Sequence, residues 1–199
     1  MSRFRPLSTF AALAAATVLT APAAHADVIG FDDLVGSGAF TSYSENGYTV
    51  AKTNGSSGCI ASVFGNQVPS VFGGRVCDNK QNGHYSITSP AAFVFESIDL
   101  AANNGALTYF FTGLMGGVSL WSFQSELPSD TGVFHTVSSG SSVPIDTLEL
   151  KLHSRQGSSF NFDNIAVSAV PSAVPEPASA ALALVALGAL GLARRRRRA

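Results

Sequence analysis

The stretch LELKLH, residues 148–153, alternates leucine with charged or polar side chains. Successive side chains of a β-strand point to opposite faces, so the alternation predicts a strand with one buried and one solvated face. Similar short runs, punctuated by Ser, Thr, Gly and Asn, are expected to be strands near 28–35, 47–52, 60–64, 84–88, 92–100, 106–112, 117–124, 132–137, 145–153 and 159–168. Many short strands without a capped helical period predict an all-β fold, a two-sheet antiparallel β-sandwich of the jelly-roll type.

The first and last of these strands break the alternation. Their apolar side chains change face at Asp32-Asp33 and at Asp163-Asn164. A bulge of one extra residue would keep the apolar side chains of each strand on the core side. Because the two ends of a domain often lie close together, we expect the two acidic pairs to meet.

These four residues form a candidate metal site. The side chains of Asp32, Asp33, Asp163 and Asn164 offer the oxygen ligands that calcium prefers, so a structural calcium ion is the cofactor to consider; none is required. The alternative is that the same residues cap turns or bond backbone amides at strand ends. No contiguous Asp-x-Asp-x-Asp loop decides between these interpretations.

The two ends of the chain differ in composition from its middle. Residues 1–26 combine two early arginines, a 15-residue uncharged run over 7–21 and the small-x-small sequence Ala24-His25-Ala26, which predicts a secretory signal peptide cleaved before Asp27. An N-terminal membrane anchor is the alternative. At the other end, a linker (171–177) containing Pro175-Glu176-Pro177 precedes an apolar segment (178–193), which we expect to form a short transmembrane helix.

A basic tail, residues 194–199, closes the chain. It contains the five arginines Arg194, Arg195, Arg196, Arg197 and Arg198. Charged guanidinium groups remain on the cytoplasmic side of a membrane, so the middle of the protein is expected to lie outside the cytoplasm.

The motif Pro175-Glu176-Pro177, the apolar segment and the arginine cluster together resemble the PEP-CTERM sorting signal of Gram-negative bacteria. The resemblance implies exosortase as a partner, and the N-terminal signal implies signal peptidase. The resemblance also implies temporary anchoring in the inner membrane, followed by delivery to the cell surface or to an extracellular polysaccharide matrix.

The region between these ends, residues 27–170, has the length of a single domain. It holds five basic and twelve acidic residues, a formal charge of −7, which argues against nucleic-acid binding. Its two cysteines, Cys59 and Cys77, are expected to form a disulfide in an oxidising compartment. A metal site or a catalytic thiol is the alternative use of this pair.

The body of the chain also resembles the jelly-roll bodies of carbohydrate-binding modules. The likeness rests on GFDDL (30–34), FVFESIDLAA (93–102), TYFFTGLMGGV (108–118) and NFDNIAV (161–167). It implies a structural calcium near Asp163. No sugar-binding residue is implied, because no aromatic-platform motif is matched.

Catalytic signatures are absent from the sequence. It contains no Gly-x-Ser-x-Gly elbow, no zinc-binding His-Glu-x-x-His helix and no nucleotide-binding loop. His84, His135 and His153 are far from one another in sequence and are expected to be isolated surface residues. Glu96, Glu126 and Glu149 are scattered over different strands, and paired carboxylates for glycoside cleavage remain conceivable.

Aromatic side chains are the remaining candidates for ligand contact. Trp121 and Phe123 share one strand face opposite Val118 and Leu120, so the strand is either covered on both sides or exposes a platform that could bind a sugar. The fourteen phenylalanines of the chain favour burial. The turn Glu45-Asn46-Gly47 predicts a β-hairpin.

Three functions follow from this sequence. The first is a non-catalytic surface or matrix protein associated with exopolysaccharide, which the sorting signal favours. The second is a carbohydrate-binding module with a defined glycan. The third is a glycan-active enzyme on a jelly-roll scaffold. An exposed stripe including Trp121 would favour the second, facing carboxylates the third, and a surface coated with Ser and Thr the first.

Overall fold

A computed structural model describes residues 26–63, 68–155 and 158–170. Eleven strands and one helical turn lie within these ranges: β1 (Ala26–Ile29), β2 (Ser42–Glu45), β3 (Tyr48–Lys52), β4 (Cys59–Ala61), β5 (Ser70–Gly74), α1 (Arg75–Asp78), β6 (Asn82–Asn103), β7 (Leu107–Met115), β8 (Val118–Leu127), β9 (His135–Val137), β10 (Ile145–Ser154) and β11 (Ser159–Ala169). All strand pairs are antiparallel. The predicted all-β antiparallel fold is therefore confirmed.

One long strand, β6, belongs to both layers of the sandwich. Residues 82–88 pair with β3 and β10, which gives a first layer in the order β2-β3-β6-β10-β7-β8. Residues 93–103 pair with β11, and β9 lies on the other side of this half. The second layer is completed by β1 and by the β5–β4 pair, which bind different halves of β11.

The core lies between the two layers. Leu148, Leu150 and Leu152 are fully buried, as their alternation predicts. Aromatic rings meet across the core: the centroids of Tyr85 and Phe162 are 4.6 Å apart, and those of Phe95 and Phe111 are 5.0 Å apart. Edge-to-face and tilted contacts of this kind add to the stabilisation that burial gives.

Two expected strands, 84–88 and 92–100, are in fact the single strand β6. The segment Ser89-Pro90-Ala91 between them has the composition of a turn, which explains the error. Thr88 is the last residue paired with β3, and Phe93 is the first paired with β11. Pro90 therefore lies where the strand passes between layers, a position at which its missing N–H leaves no gap in a ladder.

The predicted bulge at Asp163-Asn164 is confirmed, but the one at Asp32-Asp33 is wrong. The pairing of β11 with β6 shifts register between Asp163 and Ala166, and Asn164 has a φ of 44°. The first strand ends at Ile29, and a turn follows in which Leu34 N donates to Phe31 O at 2.9 Å. The turn reverses the chain, so Leu34 reaches the core without a bulge.

The hairpin predicted around Asn46-Gly47 is confirmed, with Glu45 opposite Tyr48 and both turn residues at positive φ. Strand β5 and the helical turn α1 were missed, as was β2 as a separate strand. The predicted linker 171–177, transmembrane helix 178–193 and basic tail 194–199 lie outside the described residues. So does the predicted signal peptide, except for Ala26 at the start of β1.

Candidate functional site

The ends of the domain meet, as the sequence predicts. Strand β1 pairs with the second half of β11, with Ile29 opposite Ile165. Just beyond this pairing the chain turns at Asp32, while β11 bulges at Asn164. Both polar segments therefore lie at the same end of the β1–β11 pair.

A polar cavity of about 490 Å³ opens at this place, and we call it the acidic cavity. It is lined by Asp32, Glu45, Asp99 and Asn164 among others. A Cβ built on Gly30 would lie 3.2 Å from Asp32 Oδ2 and 3.8 Å from Asn164 Oδ1, so both oxygens lie beside that glycine. The backbone N–H of Gly30 donates to Glu45 Oε2 at 2.9 Å, which directs a third side chain into the group.

The structure thus brings together Asp32 and Asn164, two of the four predicted metal ligands. Asp163 is fully buried, and its Oδ1 accepts a hydrogen bond from Asn164 N at 2.9 Å. Asp33 is exposed in the turn and lies near Tyr43. Burial, with the carboxylates of Glu45 and Asp33, raises the pKa of Tyr43 against the opposing backbone hydrogen bond from Asp33.

Glu45 and Asp99 line the acidic cavity and were not predicted. Asp99 lies on β6, where its Oδ1 accepts from Thr136 Oγ1 at 2.5 Å and its Oδ2 accepts from Asn164 Nδ2 at 3.1 Å. A signal was available for Asp99, because it directly precedes the run Leu100-Ala101-Ala102, in which both faces of the strand are apolar. Glu45 gave none, because it precedes a turn, where an acidic residue is ordinary.

The donor chemistry of the acidic cavity suits calcium, since every donor is an oxygen. The spacing of the acidic side chains is less favourable for binding a metal ion. Within residues 26–63, 68–155 and 158–170, no three His, Cys, Asp or Glu side chains cluster closely enough to hold a metal ion. A calcium ion on Asp32, Asp33, Asp163 and Asn164 therefore stays a prediction.

Trp121 packs inward from β8. It pairs with Gly113 on β7, and its ring stacks on Phe95 of the opposite layer with centroids 6.5 Å apart. Its indole Nε1 is buried, whereas Val118 and Leu120 on the same strand are exposed. The strand is therefore covered on its Trp121 face alone, and the expectation that it is buried on both sides is wrong. A role for Trp121 in ligand binding stays a prediction.

An apolar groove of about 440 Å³ lies at the β4–β5 edge. Phe72 and Val63 line it beside two amide side chains, Asn103 and Asn161. The amides are bonded to each other: Asn103 Nδ2 donates to Asn161 Oδ1 at 2.8 Å, and Asn161 Nδ2 donates to Ser70 Oγ at 3.0 Å. These hydrogen bonds pair the two amide side chains within the protein and fix their positions in the groove.

The predicted disulfide between Cys59 and Cys77 is present and joins β4 to α1. Beside it, the fully buried Ser57 binds four residues. Its Oγ donates to Asp78 Oδ1 at 2.7 Å and accepts from Gly74 N at 2.8 Å, its carbonyl accepts from Tyr85 Oη at 2.6 Å, and its N–H donates to Asn82 O at 2.8 Å. Burial would raise the pKa of Asp78, but the hydrogen bonds from Ser57 and Lys80 and the charge of Lys80 hold it below its usual value.

The three glutamates considered for glycoside cleavage each have a local partner. Glu96 Oε1 accepts from Ser168 Oγ at 2.8 Å. Glu126 forms an ion pair with Arg155 at 3.0 Å, and Glu149 forms one with Lys151 at 3.3 Å. The structure places Glu96 in the other layer from the remaining two, so it does not bring the three together.

The outer face of the first layer is coated with hydroxyl groups, and we call it the hydroxyl face. Its outward positions include Ser44, Thr49, Ser86, Thr88, Thr108, Thr112, Ser122 and Thr147. Most alternate with buried residues along their strands. Among these hydroxyls lie His84 and His153, whose rings stack with centroids 5.7 Å apart. The prediction that the histidines are isolated is therefore wrong for these two, because the register of β6 and β10 brings them together.

Comparison with known families identifies the C-terminus. A model described as the PEP-CTERM protein-sorting motif matches residues 173–198, which confirms the predicted sorting signal at Pro175-Glu176-Pro177 and Arg194–Arg198. The motif indicates an exported chain with a membrane-anchored sorting signal that is processed by exosortase. In the part of the chain that the structure describes, no helix has the length and apolar character to cross a bilayer.

Several solved structures resemble the chain at low similarity. The family 29 carbohydrate-binding module CBM29_1 from Piromyces equi is 10% identical, with a TM-score of 0.45 over 74% of this chain and 92% of that one. The CBM22-1 xylan-binding domain of Paenibacillus barcinonensis Xyn10C is 13% identical, with a TM-score of 0.43 over 74% and 97%. A cyclase from Fischerella sp. TAU is 14% identical, with a TM-score of 0.35 over 79% and 90%. No curated protein matches the chain. Similarities this low assign neither a ligand nor an activity.

Proposed function

We propose that this chain is an exported, non-catalytic surface or matrix protein whose β-sandwich associates with extracellular polysaccharide. The sorting motif at residues 173–198 supports the export and the surface destination. The observation that carries the proposal is the hydroxyl face, a broad sheet surface on which Ser and Thr are the most frequent side chains.

A hydroxylated sheet suits association with polysaccharide for a physical reason. Each Ser or Thr hydroxyl both donates and accepts hydrogen bonds, as each sugar hydroxyl does. A bond between two such groups replaces bonds to water at little net gain, so the association is weak at each point and depends on many contacts. That behaviour fits a matrix component better than a receptor for a single sugar.

The non-catalytic part of the proposal is supported by the carboxylates. Glu126 and Glu149 are held in ion pairs on the protein surface, and Glu96 is bonded to Ser168. Glycoside cleavage needs one carboxyl to act as an acid and a second, facing it across the bond, to act as a base or nucleophile. Glutamates already paired with cations are poorly suited to donate a proton.

The test follows the exported chain in an exosortase-containing bacterium that secretes polysaccharide. An epitope inserted between Val35 and Gly36, which are exposed and belong to no strand, would report its location. We expect the epitope in the extracellular polysaccharide fraction and its release when polysaccharide synthesis is blocked. A chain recovered from the cytosol, or one whose location is the same with and without polysaccharide, would contradict the proposal.

A matched control separates sorting from binding. Replacing Pro175, Glu176 and Pro177 by alanine alters the sorting signal and leaves residues 26–170 unchanged. This variant is expected to stay with the membrane fraction. It should still bind polysaccharide once extracted in detergent.

A further inference from the structure

The end of the β7–β8 hairpin exposes apolar side chains to solvent, and we call residues 114–120, LMGGVSL, the hairpin tip. Val118 is 64% exposed and Leu120 is 47% exposed, while Leu114 and Met115 are half-buried. Removing a valine or leucine side chain from water is favourable. Apolar side chains grouped on one surface feature therefore mark a place where the domain gains by being covered.

A β-bulge holds Leu120 on the surface. The pairing of β7 with β8 shifts register at this point, because Gly113 is opposite Trp121 and Leu114 is opposite Ser119. Leu120 is therefore the extra, unpaired residue, and a bulge of this kind redirects a side chain. Trp121 turns inward onto Phe95, whereas Leu120 faces solvent. The exposure of Leu120 is thus built into the pairing of the strands.

The hairpin tip lies in the longest uncharged part of the domain. No Asp, Glu, Lys or Arg occurs over residues 100–125, although residues 27–170 carry a formal charge of −7. One carboxylate, that of Asp146, binds the turn of the tip: its Oδ2 accepts from Gly116 N at 2.7 Å. The side chains of the tip can therefore leave water without desolvating a charge of their own.

The hairpin tip lies at the end of the sandwich from which the chain leaves toward the sorting signal. Val170 N donates to Ala92 O at 3.2 Å, and the next residue of β6, Phe93, is opposite Ile145 of β10. Ile145 directly precedes Asp146, which binds the tip. Three strand spacings therefore separate Val170 from the tip, a distance of about 15 Å.

The sorting signal keeps this end of the sandwich close to a membrane. The matched motif, residues 173–198, indicates a membrane-anchored signal, and its apolar run begins at Ala178. Seven residues, 171–177, separate that run from Val170, and a chain of that length reaches at most about 25 Å. While the signal is attached, a contact between the tip and the membrane is intramolecular, so even weak binding is favoured by a high effective concentration.

We propose that the hairpin tip docks on the lipid surface of the membrane that holds the sorting signal. Val118 and Leu120 enter the boundary between headgroups and acyl chains, where apolar side chains of a surface-bound protein are buried. The inference goes beyond the proposed function, because it concerns the chain before its signal is removed and involves no polysaccharide. Docking orients the sandwich, with Val170 toward the membrane and Asn103, at the other end of this half of β6, away from it.

The experiment measures which end of the sandwich contacts lipid in the full exported chain, inserted through its sorting signal into protein-free phosphatidylcholine vesicles. Ser119→Cys and Ser129→Cys each carry one environment-sensitive fluorophore, and the chain's own two cysteines are both in the disulfide. Both serines are exposed and flank the two ends of β8, about 30 Å apart. Phosphatidylcholine brominated on its acyl chains should quench the fluorophore at position 119 and leave the one at position 129 unquenched.

Variants of the labelled chain test the two apolar side chains. Val118→Ser and Leu120→Ser should each lower the ratio of docked to undocked chains about tenfold, as expected for one such side chain. Val133→Ser is the matched control, because Val133 is 42% exposed and follows Gly132, whose N–H donates to Asn103 Oδ1 at the far end of β6. It should leave the quenching unchanged. Near-ultraviolet circular dichroism establishes that each labelled variant keeps the parent fold.

Quenching at position 119 alone, lost in the combined Val118→Ser, Leu120→Ser variant and kept in Val133→Ser, supports the inference. Quenching of both labels, of neither label, or at position 119 equally in the combined variant and the parent overturns it. Quenching at position 119 that appears only when the vesicles contain exosortase also overturns it, since a protein then replaces the lipid as the partner. The vesicles hold no polysaccharide, so each of these results leaves the proposed function standing.

Discussion

Trp121 lies flat across Gly113 of the neighbouring strand. A Cβ built on that glycine would be 2.6 Å from Cζ2 of the indole, closer than a real contact permits. The two residues are opposite each other in the β7–β8 pair, and the indole is held from the other side by Phe95. The absent side chain of Gly113 is what lets the tryptophan turn inward.

Gly113→Ala is expected to displace this ring and to destabilise the domain. Overpacking of a filled site costs about 1–3 kcal/mol, because the indole must leave its rotamer or the strands must separate. Trp121 is the single tryptophan of the chain, so its fluorescence should shift to longer wavelength as the ring becomes solvated. Urea unfolding followed by this fluorescence measures both effects.

Gly38→Ala is the matched control, since a Cβ there meets no atom within 4 Å and its φ is not in the left-handed region. It should unfold within about 0.5 kcal/mol of the parent, as surface substitutions usually do. An emission maximum in Gly113→Ala identical to that of the control would mean that the indole does not lie where we place it.

Breaking the disulfide between Cys59 and Cys77 should destabilise the same domain by about 3 kcal/mol, the chain-entropy value for a loop of this length. Urea unfolding with and without reductant measures the loss, and the masses of the two forms should differ by two hydrogens. A double Cys59→Ala, Cys77→Ala variant should unfold like the reduced parent and be insensitive to reductant. Equal masses of the two parent samples would disprove the bridge.

The sequence predicted the parts of the fold that depend on local alternation. Leu148, Leu150 and Leu152 specify their strand by themselves, and the parity change at Asp163-Asn164 located a bulge. The joining of 84–88 and 92–100 into β6 could not be foreseen, because whether Pro90 ends a strand or passes between layers depends on its distant partners β11 and β3. Register between distant strands is a tertiary property.

Calcium is expected to raise the melting temperature of the exported chain, and a chelator should lower it. Asp32, Glu45, Asp99 and Asn164 line one cavity, and each offers the oxygen ligands that calcium prefers. At a calcium concentration about 100 times the Kd, binding adds about 2.7 kcal/mol of stability. Thermal melts in calcium and in chelator measure the difference.

Asp32→Asn and its neighbour Asp33→Asn form a matched pair for this test. The first removes a carboxylate that lines the acidic cavity, and the second removes one that does not. The calcium response should shrink in Asp32→Asn and persist in Asp33→Asn. Superimposed melting curves of the parent in calcium and chelator would leave these aspartates as turn-forming residues.

The candidate sites were harder to predict than the fold for a specific reason. Asp32 and Asn164 were found because each interrupts an alternating pattern next to a chain end. Glu45 and Asp99 reach the same cavity from β2 and β6, and His84 meets His153 across 69 positions of sequence. Contacts between residues so far apart in sequence depend on strand order and register. The alternation of apolar and polar residues along one strand does not encode either of these.

The stability of the domain should fall on mild acidification in a way that His84 controls. Burial, together with His153 and Lys151, lowers the pKa of His84 in the folded chain, so the unfolded chain binds this proton more readily. The stability that the neutral His84 contributes is complete above the ordinary histidine pKa of about 6.5, and it is lost as the pH falls through the lower pKa of His84 in the folded chain.

His84→Gln should therefore lose less stability than the parent between about pH 7 and 5. His153→Gln, which removes one cause of the shift, should give an intermediate slope. Urea midpoints of the parent and the two variants, measured across this pH range, would show the difference. If the midpoints of all three proteins changed in parallel with pH, the pKa of His84 would not be lowered by its surroundings.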